Sequence, residues 1–227
     1  MNKYIIVSEK VWHKDLFVSL KDKFFNDNWL LIDSKEDFNL SHLDKLEPTK
    51  IFIPHWSHII PKEIYKNYEC IVFHMSDLPF GRGGSPLQNL ITRGFTTTKV
   101  SAIKVDKGID TGDVYLKKTL SLEGTAAAIF ERATVVIQEM ICEIINKKLE
   151  SKPQVGEITE FKRRKPEDSD LINLSDLEQV YDYIRMLDCD GYPHAFIETQ
   201  HLKFEFTTAN FDTNNKIITA HVRIVKK

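Results

Sequence analysis

The chain has 227 residues, with 31 Lys and Arg against 33 Asp and Glu, so a basic surface over the whole protein is excluded and tight nonspecific nucleic-acid binding is not expected. Its 42% hydrophobic content is that of an ordinary globular protein with a sizeable core. Three cysteines without a CxxC pair fit neither a disulfide framework nor a thiolate zinc site, and the absence of long apolar runs predicts a cytoplasmic protein without signal peptide or membrane segment.

The first third of the chain alternates short apolar runs with helical patterns. Tyr4–Val7 predicts a strand, and Ser8 is a candidate cap for the helix that follows, where large apolar residues recur at helical spacing. Further strands are predicted at residues 29–32, 51–53 and 70–73. Because strands that alternate with helices are typical of a mostly parallel sheet covered on both faces, the predicted fold class is α/β.

The middle of the chain carries three further elements after a glycine-rich loop. Ser85 followed by Pro86 predicts a helix start, with a serine cap and proline at the first helical position. Two strands are predicted at 100–105 and 114–120, joined by the turn-rich sequence DKGIDTGD. Apolar residues at helical spacing then predict one long amphipathic helix over 125–147.

A change of composition at 151–165 predicts a domain boundary. This segment holds Pro153, Gly156 and a basic run at 162–165, so we divide the chain into residues 1–160 and residues 161–227. In the second part, Ser175 and Glu178 form a candidate capping box ahead of a helix to about Leu187. Short strand-like pieces follow, which predicts a small α+β appendage.

The chemistry is predicted to lie in the loop that follows the strand at 70–73. The pattern HxSxLPxxRG begins at His74, and the pattern GIDTGD places Asp110 further along the chain, 36 positions after His74. Ligands of parallel sheets bind beyond the carboxyl ends of strands, where His74 is expected. Taken singly, a histidine after a strand is more often structural, and an aspartate between glycines is typical of a turn.

The combination of the two patterns at this spacing resembles the formyltransferase family that uses 10-formyltetrahydrofolate. The resemblance runs from about Ile51 to Asp190 and implies a Rossmann-like catalytic domain with catalytic roles for His74 and Asp110. The family's catalytic asparagine, two residues before the histidine, is Val72 here, and valine donates no hydrogen bond. A replacement donor to the oxyanion is therefore expected from Ser76, Gln88, Asn89 or a backbone N–H of the glycine loop.

The resemblance also implies binding residues, and no metal is required. The slot for 10-formyltetrahydrofolate is expected to be lined by Ser57, His58, Ile59, Ile60, Val105, Gly108 and Ile109. The acceptor is expected to contact Ser76, Arg82, Gly83, Gln88, Asn89, Arg163 and Arg164, because guanidinium groups match the diphosphate oxygens of a nucleotide. His55 and His58 form an HxxH pair without further ligands, which favours packing or slot lining over metal binding.

The basic run and the segment Ile184–Asp188 resemble bacterial enzymes that formylate nucleotide-linked amino sugars. The predicted partners are therefore folate and a UDP- or TDP-linked amino-deoxy sugar for surface glycans or nonulosonic acids, with no nucleic acid and no membrane. Enzymes of this kind are often dimers, so a homodimer is one expectation. Methionyl-tRNA, glycinamide ribonucleotide and an aminoacyl carrier are alternative acceptors, and a non-catalytic folate- or nucleotide-sugar-binding protein is a third interpretation.

Overall fold

The computed structural model describes all residues, Met1–Lys227, and contains eleven strands and six α-helices. The strands are β1 (Lys3–Val7), β2 (Asn28–Ile32), β3 (Lys50–Ile53), β4 (Cys70–His74), β5 (Phe80–Gly83), β6 (Thr97–Lys104), β7 (Val114–Ser121), β8 (Thr159–Phe161), β9 (Ala195–Glu198), β10 (Leu202–Asp212) and β11 (Ile217–Lys226). The helices are α1 (His13–Lys23), α2 (Leu40–Leu46), α3 (Lys62–Asn67), α4 (Pro86–Ile91), α5 (Ala126–Lys147) and α6 (Leu177–Arg185). A 3₁₀ turn covers Pro166–Ser169.

The main sheet has six strands in the order β2-β1-β3-β4-β6-β7. Strands β2, β1, β3 and β4 are parallel neighbours, and β6 pairs antiparallel with β4. Ile5, Ile6 and Val7 of β1 are fully buried, as expected for β-branched residues in a central strand that is covered on both faces. The predicted α/β class with a mostly parallel, Rossmann-like sheet is confirmed.

The chain divides into two compact units. The first comprises Met1–Gly83, Lys99–Leu120 and Glu131–Glu160, and contains most of the main sheet. The second comprises Gly84–Thr98, Ser121–Phe130 and Phe161–Lys227, and contains α6 and the antiparallel sheet β11-β10-β9. Two segments from the first 160 residues thus belong to the second unit. The division of the chain into domains 1–160 and 161–227 stays a prediction.

Three helix caps differ from the predictions. Ser85 precedes α4 as expected, but its side chain makes no capping hydrogen bond, and its hydroxyl accepts the Arg164 N–H instead. Ser8 does not cap α1, which begins only at His13; its hydroxyl lies 2.7 Å from Nδ1 of that histidine instead. Asp176, not Ser175, caps α6, and its carboxylate accepts from the Glu178 N–H. A carboxylate is as good an acceptor for the first helical N–H groups as a serine hydroxyl, so the sequence pattern alone placed the helix start one residue too early.

The three cysteines, Cys70, Cys142 and Cys189, are all buried, and none of them forms a disulfide. Burial raises the pKa of the Cys70 thiol to about 12. Cys70 and Cys142 lie in the first compact unit and Cys189 lies in the second.

None of the helices combines the length and the apolar character that crossing a lipid bilayer requires.

Candidate active site

His74 is the last residue of β4 and lies at the carboxyl end of a parallel strand. In the antiparallel pairing of β4 with β6, His74 lies opposite Ser101. The side chain of His74 is only 9% exposed, so its two ring nitrogens must find partners within the protein. The Ser101 hydroxyl fixes the chain that leaves the strand, because it donates to the Ser76 carbonyl at 2.7 Å.

Asp110 reaches His74 from the loop between β6 and β7. Its Oδ2 lies 3.5 Å from Nδ1 of His74 and accepts the backbone N–H of Gly83 at 2.9 Å. Asp110 has a left-handed backbone with φ of 54°, which an aspartate tolerates better than most residues. The structure therefore brings together the two residues that the motifs paired, within the first compact unit.

The second nitrogen of His74 faces a peptide carbonyl. Its Nε2 lies 2.7 Å from the Gly81 oxygen, and the hydroxyl of Ser76 donates to the same oxygen at 3.2 Å. Both ring nitrogens thus face oxygen acceptors, Gly81 on one side and Asp110 on the other. A neutral imidazole has one N–H and can satisfy one of them, whereas the imidazolium can donate to both.

Gln154 holds the Asp110 loop, and the motif analysis missed it. Its amide nitrogen donates to the carbonyls of Asp110 and Gly112, each at 2.8 Å, while its amide oxygen accepts from the Arg82 guanidinium. Gly112 itself tolerates no side chain, because a Cβ there would lie 1.6 Å from the carbonyl oxygen of Lys104. The segment around Gln154 is irregular and 44 residues from Asp110, so no sequence periodicity could have indicated this contact.

Val72 stands in the middle of β4, in register with Ile53 of β3 and Ile103 of β6. Its aliphatic side chain offers no donor to a reacting oxygen. Of the donors that the sequence suggested as replacements, Ser76 is the one hydroxyl within hydrogen-bond distance of the oxygen that His74 also contacts.

The other suggested donors are held elsewhere. Both belong to the second compact unit, where Gln88 donates to the Met186 carbonyl and Asn89 donates to three carbonyls, those of Gly84, Ser85 and Lys162. These contacts support a structural role for both amides, in holding the start of α4. The contribution of Gln88 and Asn89 to acceptor binding stays a prediction.

The arginines expected to meet a diphosphate have defined local partners. Arg82 lies in the first unit and donates twice to Gln154, at 2.8 and 3.2 Å. Arg163 and Arg164 lie in the second unit. The Arg164 guanidinium donates to the Asp168 carbonyl and lies 5.0 Å from the ring centroid of Tyr183. Their role toward a ligand stays a prediction.

The residues expected to line the folate slot include two exposed isoleucines. Ile59 is 88% exposed and Ile109 is 70% exposed. The neighbours Ile60 and Val105 pack against the same hydrophobic cluster, so both predicted segments belong to one part of the first unit. Of the remaining members of the set, Ser57 is exposed, the His58 ring pairs with Glu9, and the Gly108 N–H donates to Asp106.

Two features of this region suit the binding of a planar ring system. Large apolar side chains that face solvent lose unfavourable hydration when a planar ring covers them. The indole N–H of Trp56, next to Ser57, is buried and has no acceptor within the protein. A buried N–H without a partner is uncommon, and a ligand carbonyl or ring nitrogen would satisfy it.

A histidine and tryptophan cluster follows β1 and β3, and the motifs did not identify it. The ring centroids of Trp12, His13 and His55 lie 6.0 to 6.4 Å from one another. Burial, with smaller effects of His55 and Lys10, lowers the pKa of His13 to about 3. Burial and Lys10 lower the pKa of His55 to about 4. Both imidazoles are therefore neutral near pH 7.

Comparison with known proteins decides the family. A family model described as Formyl transferase matches residues 21–142, and one described as Methionyl-tRNA formyltransferase, C-terminal domain, matches residues 166–225. The chain belongs to the formyltransferase family. The predicted family and its Rossmann-like fold are confirmed, and 10-formyltetrahydrofolate, the expected cofactor, is the formyl donor of this family.

The sequence identity to individual members of this formyltransferase family varies widely. The methionyl-tRNA formyltransferase of Thermodesulfovibrio yellowstonii is 32% identical over 181 residues, which cover 74% of this chain and 58% of that protein. The structure of a methionyl-tRNA formyltransferase from Clostridium thermocellum is 47% identical, with a TM-score of 0.96 and full coverage of both chains. A sugar N-formyltransferase from Shewanella sp. is 15% identical, with a TM-score of 0.67 and coverage of 97% and 96%.

These formyltransferase matches do not favour the acceptor that the sequence motifs suggested. The relatives with the higher identities carry the name methionyl-tRNA formyltransferase, and the likeness to the sugar enzyme, at 15% identity, shows the fold alone. The chain spans 58% of the length of the Thermodesulfovibrio relative.

Proposed function

We propose that this protein transfers the formyl group of 10-formyltetrahydrofolate to a primary amine. The observation that carries the proposal is the His74 and Asp110 pair, at 3.5 Å, in a chain whose family transfers formyl groups. Bound 10-formyltetrahydrofolate would supply the formyl carbon. Ile59, Ile109 and the indole N–H of Trp56 support its placement beside the predicted slot.

His74 and Asp110 divide the proton chemistry. A neutral amine that adds to a formyl carbon becomes cationic and must lose a proton, while the formyl oxygen gains negative charge. The carboxylate of Asp110 is the base of the pair, and the Gly83 N–H fixes one of its oxygens at 2.9 Å. His74 supplies an N–H to the developing negative oxygen and can return a proton to the departing nitrogen.

Methionyl-tRNA is the first candidate acceptor. Its support is the 47% identity to the Clostridium thermocellum protein over all of both chains, together with the C-terminal family match over residues 166–225. Formylation of an aminoacyl group on RNA needs the same chemistry at a primary amine, so the geometry of His74 and Asp110 serves it without change.

A nucleotide-linked amino sugar is the second candidate, and charge favours it. Residues 161–227 hold ten Lys and Arg against eleven Asp and Glu, so this part of the chain carries no excess of positive charge. Proteins that hold RNA along its backbone present a basic surface, because phosphate contacts supply most of the affinity. A small acceptor with one diphosphate needs only a few cations.

The test is an acceptor panel with the intact protein. Loss of 10-formyltetrahydrofolate is followed by absorbance with methionyl-tRNA, UDP- and TDP-linked 4-amino-4,6-dideoxy sugars, and glycinamide ribonucleotide. Formyl product with one acceptor supports the proposal and names the substrate, and the D110N variant serves as the inactive control. A protein that gives no formyl product with any amine of the panel would contradict the proposal.

A further inference from the structure

Two hydrogen-bond donors converge on one oxygen atom beside His74. The His74 Nε2 lies 2.7 Å from the Gly81 carbonyl oxygen and the Ser76 hydroxyl lies 3.2 Å from it. Ser76 is fully buried, and its hydroxyl donates to this oxygen. Two donors aimed at one oxygen from a buried site form the arrangement that stabilises an oxyanion in acyl-transfer chemistry.

The oxygen that fills this position belongs to the protein. Gly81 has φ of 79°, which a residue with a Cβ rarely adopts. Gly81 is the second residue of the four-residue strand β5, which pairs with the short strand β8 and is not part of the main sheet. A rotation of the peptide between Gly81 and Arg82 would remove the carbonyl from both donors, and glycine at position 81 leaves the backbone free to adopt conformations that other residues avoid.

Val72, where the family resemblance places an asparagine, provides no donor here. Of the side chains suggested from the sequence, Gln88 donates to Met186 and Asn89 donates to three backbone carbonyls, all within the second compact unit. Ser76 lies two residues after His74, in the same unit and on the same oxygen. The structure thus ranks Ser76 first.

We infer that Ser76 Oγ and His74 Nε2 together bind the formyl oxygen during transfer, and that the Gly81 carbonyl occupies this position only until the substrates bind. The inference rests on the proposed function and deepens it. When the acceptor amine adds to the formyl carbon, the π electron pair moves to the formyl oxygen, which accepts from Ser76 and His74. The pair returns as the bond from the formyl carbon to the donor nitrogen breaks. The proton lost by the amine passes to Asp110, and the departing nitrogen takes up a proton from His74, which recovers it from Asp110.

Ser76→Ala tests the inference against a purely structural role. We expect kcat to fall about 100-fold, the loss typical for one oxyanion donor, with the KM of both substrates within about twofold of wild type. Ser101→Ala is the matched control, since Ser101 is an equally buried serine whose hydroxyl holds the same loop through the Ser76 carbonyl. It is expected to lower Tm and leave kcat within about fivefold.

Rescue distinguishes donation from packing. Val72→Asn restores an amide at the family's donor position, and in the Ser76→Ala background we expect it to recover at least tenfold in kcat. If Ser76→Ala does not fold, Ser76→Cys keeps the volume with a weak donor and is expected to lose kcat with unchanged Tm. If Ser76→Ala keeps more than half of the wild-type kcat, or if Val72→Asn does not rescue it, the inference is overturned and the proposed function stands. Absence of wild-type turnover would overturn it together with the proposed function.

Discussion

The backbone N–H of Gly83 donates to Oδ2 of Asp110 at 2.9 Å, and this is the oxygen that faces His74. One end of β5 therefore orients the carboxylate, while the Gly81 carbonyl, two residues earlier, contacts the other nitrogen of the same histidine. In this structure the short strand thus contacts both members of the pair, the imidazole directly and the carboxylate through Gly83. The glycine-rich loop, which the sequence predicted as a source of a backbone N–H donor, therefore positions the side chains of His74 and Asp110.

Asp110→Asn is expected to lower kcat by about 10² to 10⁴, because asparagine can still accept the Gly83 N–H but cannot take up a proton. The free energy of unfolding should change by about 1 kcal/mol or less. Steady-state kinetics and urea unfolding measure the two effects. Asp113→Asn removes the same charge three residues away and should retain activity. An Asp110→Asn protein with a tenth or more of the wild-type kcat would refute the role of the base.

Stability should depend on pH through His13. Its pKa is lowered to about 3 in the folded state from an ordinary value of 6.5, so the unfolded chain binds a proton at a higher pH than the folded chain does. The contribution is present in full above pH 6.5 and is lost as pH falls toward 3. Between pH 7.5 and pH 5 the loss is about 2 kcal/mol in the free energy of unfolding.

His13→Gln should flatten this part of the pH profile, measured by urea unfolding at pH 7.5, 6 and 5. His201→Gln, which changes an exposed histidine, is the control and should follow the wild-type profile. Equal pH slopes for wild type and His13→Gln would show that the Ser8 contact keeps His13 protonated as readily as in the unfolded chain.

Gly112→Ala should destabilise the protein by about 3 kcal/mol, because its Cβ would lie 1.6 Å from the Lys104 carbonyl oxygen and the backbone must shift. Gly94→Ala is the matched substitution at a glycine with φ of 77° and nothing within 4 Å of the new Cβ. It should cost about 1 kcal/mol, the conformational part alone. Urea unfolding measures both, and equal costs would contradict the steric explanation.

Gln154→Ala should lower the free energy of unfolding by about 2 kcal/mol and lower kcat, since four hydrogen bonds that hold the Asp110 loop and Arg82 are lost. Gln154→Glu should cost more, because a carboxylate cannot donate to the carbonyls of Asp110 and Gly112. Gln179→Ala, on the exposed side of α6, is the control. A Gln154→Glu protein as stable as wild type would show that pairing with Arg82 outweighs the lost donors.

Sequence reasoning located the elements whose signal is local. The apolar runs of β1, β3 and β4 predicted parallel strands because central strands are buried on both faces, and the position of His74 followed from the end of β4. Contacts between distant segments left no such signal. Gln154 lies in an irregular stretch, and the pairing of β5 with β8 joins residues almost eighty positions apart. The shared contact of the Ser76 hydroxyl and His74 with the Gly81 oxygen likewise depends on how the loop folds back, which no local pattern indicates.

The buried cysteines make the two compact units separately observable in solution. A thiol reagent can modify Cys70, Cys142 or Cys189 only when the surrounding structure opens, since all three side chains are shielded from solvent. Cys70 and Cys142 report on the first unit and Cys189 on the second. Mass spectrometry of alkylated peptides therefore times the opening of each unit in the unaltered chain, without an introduced label.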